Sequence, residues 1–277
     1  MSSRSLRRIA LGVAAVTSAA VTTVGAAAPA TTAAPALRPI GHLSEADALW
    51  MPKRTLGTPL TATTTAAATG VRMPALTSAS YKFSSILDGQ PVRWNPCQAI
   101  HWRSNTARGP VGGLTVLKEA VVHMAALTGT TWIYDGASTA TPSTSYLPTT
   151  PSTQNKPVLI GWTDGTASDL LRGKPAQVLG MTRTVWFGVD TGTQKVAATR
   201  GAVIALDRTD RLPLRGTMSW SATTLHELGH VMGLDHPSDS HQLMAATLPA
   251  VTDLQSGDRT GLLRLGRSAG CVTIPGV

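Results

Sequence analysis

The chain has 277 residues, 42% of them hydrophobic, and carries 24 lysines and arginines against 15 acids for a formal charge of +9. That length holds one large or two small domains. The charge is not gathered into a Lys/Arg cluster, which argues against nucleic acid as a partner. No uncharged apolar run reaches the ~20 residues that would hold the mature protein in a membrane.

The longest such run opens the chain. Arg4, Arg7 and Arg8 precede a stretch from Ile9 to Val24 without a charge, and Gly25-Ala26-Ala27-Ala28-Pro29-Ala30 follows. A basic start, a short apolar segment and small residues are the order of a secretory signal peptide, expected over residues 1–30. Taking its three arginines from +9 leaves +6. Residues 31–79 are rich in Ala, Thr and Pro with few large apolar side chains to bury, so they read as a linker or pro-segment. Export leads to an oxidising compartment, where Cys97 and Cys271, the only two cysteines, are expected to pair. Their disulfide would close a loop of about 175 residues, worth ~4 to 5 kcal/mol in the chain-entropy model.

One α+β domain is expected over residues 80–277, a twisted mixed sheet with about three helices. Tyr81, Phe83, Ile86, Val92, Trp94, Ile100 and Trp102 supply strand-like positions at its start. Leu114, Leu117, Val121, Met124 and Leu127 recur at helical spacing and predict a helix over 114–127. Residues 136–156, rich in Thr, Ser and Pro, predict an exposed loop. Strands are expected at 157–162, 178–189 and 201–207, and helices at 218–232 and 254–265.

The fifth of these long elements carries the chemistry. In His226-Glu227-Leu228-Gly229-His230-Val231-Met232-Gly233-Leu234-Asp235-His236 the first two histidines are four apart, so a helix presents both imidazoles on one face to one ion. If the helix continued, His236 would fall about 9 Å beyond His230 along the axis. The chain must therefore turn back, and Gly233 is where a left-handed turn costs least. Pro237 keeps helix from resuming. Three neutral histidines leave one position of a zinc ion open, as in a catalytic site. Glu227 beside them is the candidate general base and acid for a water attacking a peptide carbonyl. At this chain's own residue frequencies the five fixed positions would arise by chance roughly 4 times in a million. Glutamate occurs only at 45, 119 and 227, which makes its presence at the one chemically required position informative.

These residues resemble the metzincin zinc proteases, and among them the matrixin-like branch. The resemblance implies a methionine-bearing turn beneath the metal histidines, and Met244, eight residues after His236 in Asp239-Ser240-His241-Gln242-Leu243-Met244, is the candidate. Gly233 to His236 and the stretch from Gly257 to Gly266 are also similar to matrixins. The chain departs from them in three places: no cysteine precedes Cys97 to block the zinc, Ala245-Ala246 stands where Tyr-Pro is usual, and neither a second-zinc stretch nor a calcium loop is evident. By analogy with metzincin clefts, Leu179-Gly180-Met181-Thr182 is either the edge strand that binds an extended substrate or an ordinary structural strand. Asp235 is read as turn-forming or as orienting a ligand histidine. His101, His123 and His241 are read as structural or solvated.

The expectation is thus a secreted, monomeric endopeptidase of the extracellular space or cell wall, with His226, His230 and His236 holding one zinc ion and Glu227 catalytic. Its partner is a protein or peptide substrate, with neither nucleic acid nor membrane involved. Two alternatives stay open: a zinc hydrolase of cell-wall peptide cross-links, and a non-catalytic zinc-binding module.

Overall fold

A computed structural model describes residues 78–149, 154–190 and 194–274 in full, and 41–42 and 49–51 as backbone. The expected signal peptide lies outside the described residues, as does most of the expected linker.

In chain order the elements are β1 (Gly41–His42), β2 (Leu49–Met51), β3 (Lys82–Phe83), β4 (Ile86–Leu87), β5 (Gln90–Pro91), β6 (Ile100–Asn105), α1 (Gly113–Thr128) and β7 (Trp132–Ala137). Then come β8 (Val158–Thr163), β9 (Gly180–Asp190), β10 (Lys195–Asp207), α2 (Trp220–Met232), β11 (Leu234–Asp235) and α3 (Ser256–Leu263). The α+β class and the three helices agree with the sequence reading. Several strands differ from it: β1 and β2 lie within the stretch expected as linker or pro-segment, β11 is unexpected, and β7 and β10 depart from it as well. β7 is unexpected because its burial alternates between half-covered and exposed, as an edge strand allows, so no apolar run announces it. β10 begins at Lys195 rather than 201, since its first residues are polar or small and are held by antiparallel pairing with β9, Lys195 opposite Asp190, and by a bridge from Ala198 to Arg93.

One mixed sheet runs in the order β1-β9-β10-β8-β6-β7, with β2 also on β9. The pairs β10–β8, β8–β6 and β6–β7 are parallel, while β9 and β10 form an antiparallel hairpin. Side chains alternate across the sheet with period two. On one face Val158, Ile160, Trp162, Ala202, Ile204 and Leu206 pack with α1 and α2. On the other, Leu159, Met181, Val203 and Ala205 pack under Leu147, Leu170 and Leu171. Both faces of the central strands are therefore covered, which is why β8 and most of β10 read as continuous apolar runs.

Helix α2 lies in that core with twelve of its thirteen residues buried. Ser219 caps its start, the hydroxyl accepting from Ala222 N at 3.2 Å. At its other end the Trp94 indole donates to Val231 O at 2.8 Å, and Gly233 at φ 116° closes the helix, its N–H reaching Gly229 O and His230 O. The predicted disulfide is formed: Cys97 and Cys271 are 174 residues apart in sequence and bonded. Among the described residues no helix is long and apolar enough to cross a membrane.

Candidate active site

Helix α2 presents His226 and His230 from one face, fully buried. Past Gly233 the chain leaves the helix as β11, which pairs antiparallel with β3, Leu234 opposite Phe83 and Asp235 opposite Lys82. The pairing is extended by Ser84, which donates to Gly233 O from its backbone N at 2.9 Å and from its hydroxyl at 3.2 Å. Asp235 accepts from His236 N at 2.8 Å and pairs with Lys82 Nζ at 2.7 Å. A segment 150 residues upstream in sequence thus turns the third histidine back onto the first two. Asp235 thereby holds the backbone of His236.

The three Nε2 atoms converge: His226 and His230 are 3.0 Å apart, His230 and His236 3.1 Å, and His226 and His236 3.3 Å. His226 Nδ1 donates to Leu243 O at 2.6 Å and His230 Nδ1 to Leu234 O at 2.8 Å. A carbonyl oxygen can only accept, so these bonds place the ring proton on Nδ1 and leave the Nε2 lone pairs of the neutral rings facing one another. Burial lowers the pKa of His236, with Asp235 opposing and Lys82 reinforcing, which favours its neutral form as well. Lone pairs this close repel unless a cation lies among them. Nitrogens 2.0–2.1 Å from a tetrahedral zinc stand about 3.3 Å from one another, so the three rings fit that ion. Among the described residues this is the one group of three or more potential ligand side chains.

Glu227 is also fully buried. It faces β9, where Thr182 Oγ1 donates to Oε2 at 2.5 Å and lies 3.2 Å from the Glu227 backbone oxygen. A Cβ on Gly180 would stand 2.8 Å from Oε1, so only glycine leaves that oxygen its place. Oε1 itself is buried without a hydrogen-bond partner. Burial pushes the carboxyl up to about 8, against the lowering effect of the Thr182 hydroxyl.

Met244 is buried against the helix, its Sδ lying where a Cβ on Gly229 would collide with it. The turn is held from α3 by Asp258, fully buried, which accepts from Leu243 N at 2.8 Å, Met244 N at 3.4 Å and Gln255 N at 2.9 Å. In return Gln242 Oε1 accepts from Gly257 N and Asp258 N at 2.9 and 3.2 Å. Burial raises the Asp258 carboxyl to about 6, opposed by the three backbone N–H groups.

The other singled-out histidines stay away from the cluster: His101 meets Asp135, His123 meets Asp253, and exposed His241 meets Asp239. The Leu179–Thr182 stretch does border the site, but not as a free edge, because β1 runs parallel to it with Gly41 opposite Met181 and His42 opposite Thr182. Sequence reasoning missed Thr182 as the partner of Glu227, Asp258 as the anchor of the turn and Lys82 as the partner of Asp235. Of these only Asp258 carried a signal, its place in the matrixin-like stretch 257–266.

No curated protein sequence matches the chain. Residues 132–265, from the start of β7 to just past α3, match the family model described as Matrixin. The three histidines, Glu227 and Met244 all fall inside that span, and the match supports a matrixin-like zinc metalloendopeptidase.

Proposed function

We propose that this chain is a secreted endopeptidase in which His226, His230 and His236 hold one zinc ion and Glu227 moves the proton of the attacking water, the catalytic domain spanning residues 80–277 after a signal peptide and a linker or pro-segment. The observation that carries this reading is the convergence of three histidine Nε2 atoms with a glutamate next to the first of them whose carboxylate oxygen Oε1 is buried without a partner. A binding scaffold needs the histidines but has no use for that oxygen.

Zinc, when bound, supplies Lewis acidity to a carbonyl oxygen and to a water molecule. The remaining work belongs to the chain. Leu243 O and Leu234 O fix the tautomers of His226 and His230 and orient both rings to hold the ion. Glu227 Oε1 accepts a proton from the water as it attacks the scissile carbonyl, then returns it to the departing amine nitrogen. Export is supported by the order of residues 1–30 and by the disulfide, which persists in oxidising compartments.

The test compares the purified protein with Glu227→Ala for zinc content and for cleavage of a denatured protein mixture. The expected result is about one zinc per chain in both and cleavage by the wild type alone, with a loss in the mutant of at least 10²-fold. If both bind zinc and neither cleaves protein, the endopeptidase reading fails and cell-wall peptides become the substrate to try.

A further inference from the structure

The reading above leaves open which of the two Glu227 oxygens handles the proton, and what keeps a buried side chain with several rotatable bonds in one place. The sheet answers both. Gly180 and Thr182 are two apart on β9, so they face the same side, and that side is the one on which α2 lies. Both reach Glu227, and they treat its oxygens differently. Thr182 Oγ1 donates to Oε2 at 2.5 Å. Gly180 contributes only the space beside Oε1, which a Cβ would intrude on at 2.8 Å.

We propose that Thr182 is the positioning residue of Glu227: its hydroxyl holds Oε2 throughout the reaction, so that Oε1 is the oxygen that takes the proton from water and gives it to the amine. The proposal rests on the endopeptidase reading and deepens it. A hydroxyl has a single hydrogen. With the second acceptor, the Glu227 backbone oxygen, at 3.2 Å, that hydrogen is committed to Oε2 by distance. While it is so committed, Oε2 is the poorer site for a second proton, and Oε1, with no partner of its own, is the better one. In the first transfer the water O–H bond breaks and an Oε1–H bond forms. In the second, Oε1–H breaks and the amine N–H forms, returning the carboxylate to its starting state with the Thr182 bond unbroken. Fixing one oxygen also restricts rotation about the terminal torsion of the side chain, the softest of its bonds, and keeps the other oxygen within reach of the reacting atoms.

The alternative is a purely structural hydroxyl that satisfies a helix carbonyl. Three variants separate the two. Thr182→Val keeps the β-branched shape suited to a strand and removes the donor; Thr182→Ser keeps the donor and removes the methyl; Gly180→Ala crowds Oε1 without touching Oε2. The expected result is a kcat lowered roughly tenfold or more in Thr182→Val and in Gly180→Ala, with KM and zinc content near wild type, since only the proton-transfer geometry is lost. Thr182→Ser is expected within about threefold of wild-type kcat. Crystals of Thr182→Val are expected to show the Glu227 carboxylate turned from its wild-type position, a readout independent of turnover. Full kcat in Thr182→Val, or a Ser variant as impaired as the Val variant, would overturn the proposal. A wild-type protein that cleaves nothing strikes instead at the endopeptidase reading, so the two failures are told apart.

Discussion

The two halves of the histidine cluster are built by different means. His226 and His230 owe their spacing to one helix: four residues on a 100° turn place them together wherever the helix forms, and Ser219, Trp94 and Gly233 see that it does. His236 owes its place to partners far away in the chain, to β3 through Lys82, Phe83 and Ser84, and then to Asp235. The helical pair is secured by local geometry, the third histidine by tertiary contacts that must all be present at once. Loss of tertiary structure should therefore strip His236 from the cluster first and leave a weaker two-histidine site behind.

The largest test of that difference is the disulfide. Cys97 follows the β3–β5 region and Cys271 follows α3, so their bond ties together the two segments that flank the third histidine and the methionine turn. Replacing both cysteines by serine is expected to cost ~4 to 5 kcal/mol of stability by the chain-entropy account. Chemical denaturation measures it, with zinc content followed in the same titration. The comparison predicts zinc release ahead of the loss of helical signal; coincident transitions would break it.

Next comes Asp258→Ala, which removes one acceptor from three backbone N–H groups at once. Unpaired buried donors cost ~1 to 3 kcal/mol each, partly recovered by relaxation, so a loss of about 3 kcal/mol is expected. The loosened turn also frees Leu243 O, the acceptor for His226, so zinc affinity should fall although no ligand has changed. The same residue predicts a pH dependence. Its carboxyl is raised in the folded state to about 6, so between its unfolded value of ~3.9 and that point the folded protein binds more protons than the unfolded. Stability is then expected to decline as pH rises from about 4 through 6, a slope that Asp258→Asn should flatten.

How much of this was legible in the sequence follows the same division. His226, Glu227, His230, the glycine turn and the need for His236 to come back are all readable from spacing, because a helix is a local object and its geometry is known in advance. Met244 was readable only through resemblance, since one buried methionine among eight looks like any other. The long central elements were visible in their apolar runs, while β7 was not, being half-exposed. What no pattern revealed was long-range pairing: that Thr182 would lie on the Glu227 carboxylate, that β1 would lie along Leu179–Thr182, or that Lys82 would find Asp235 across more than 150 residues. Such contacts depend on the order of strands in the sheet and on register, and a period of two in hydrophobicity says which face a residue takes but not what it meets there.

The smallest expected effect is the most discriminating for the third histidine. Lys82 is 56% exposed while its partner Asp235 is only 8% exposed, so their 2.7 Å contact is half in water. An ion pair of that kind contributes about 0.2 to 1 kcal/mol, and Lys82→Ala should lower global stability by no more than that. Its influence on zinc should be larger in proportion. Asp235 holds the backbone of His236, and without Lys82 its carboxylate loses an anchor and its hold on that N–H weakens. Lys82→Ala is therefore expected to weaken zinc binding severalfold while barely moving the unfolding midpoint, with the loss reproduced in the wild type at high salt, where exposed pairs are screened. Equal zinc affinity in mutant and wild type at low salt would mean that the β3–β11 backbone ladder alone suffices to place His236, and that the ion pair is incidental to the site.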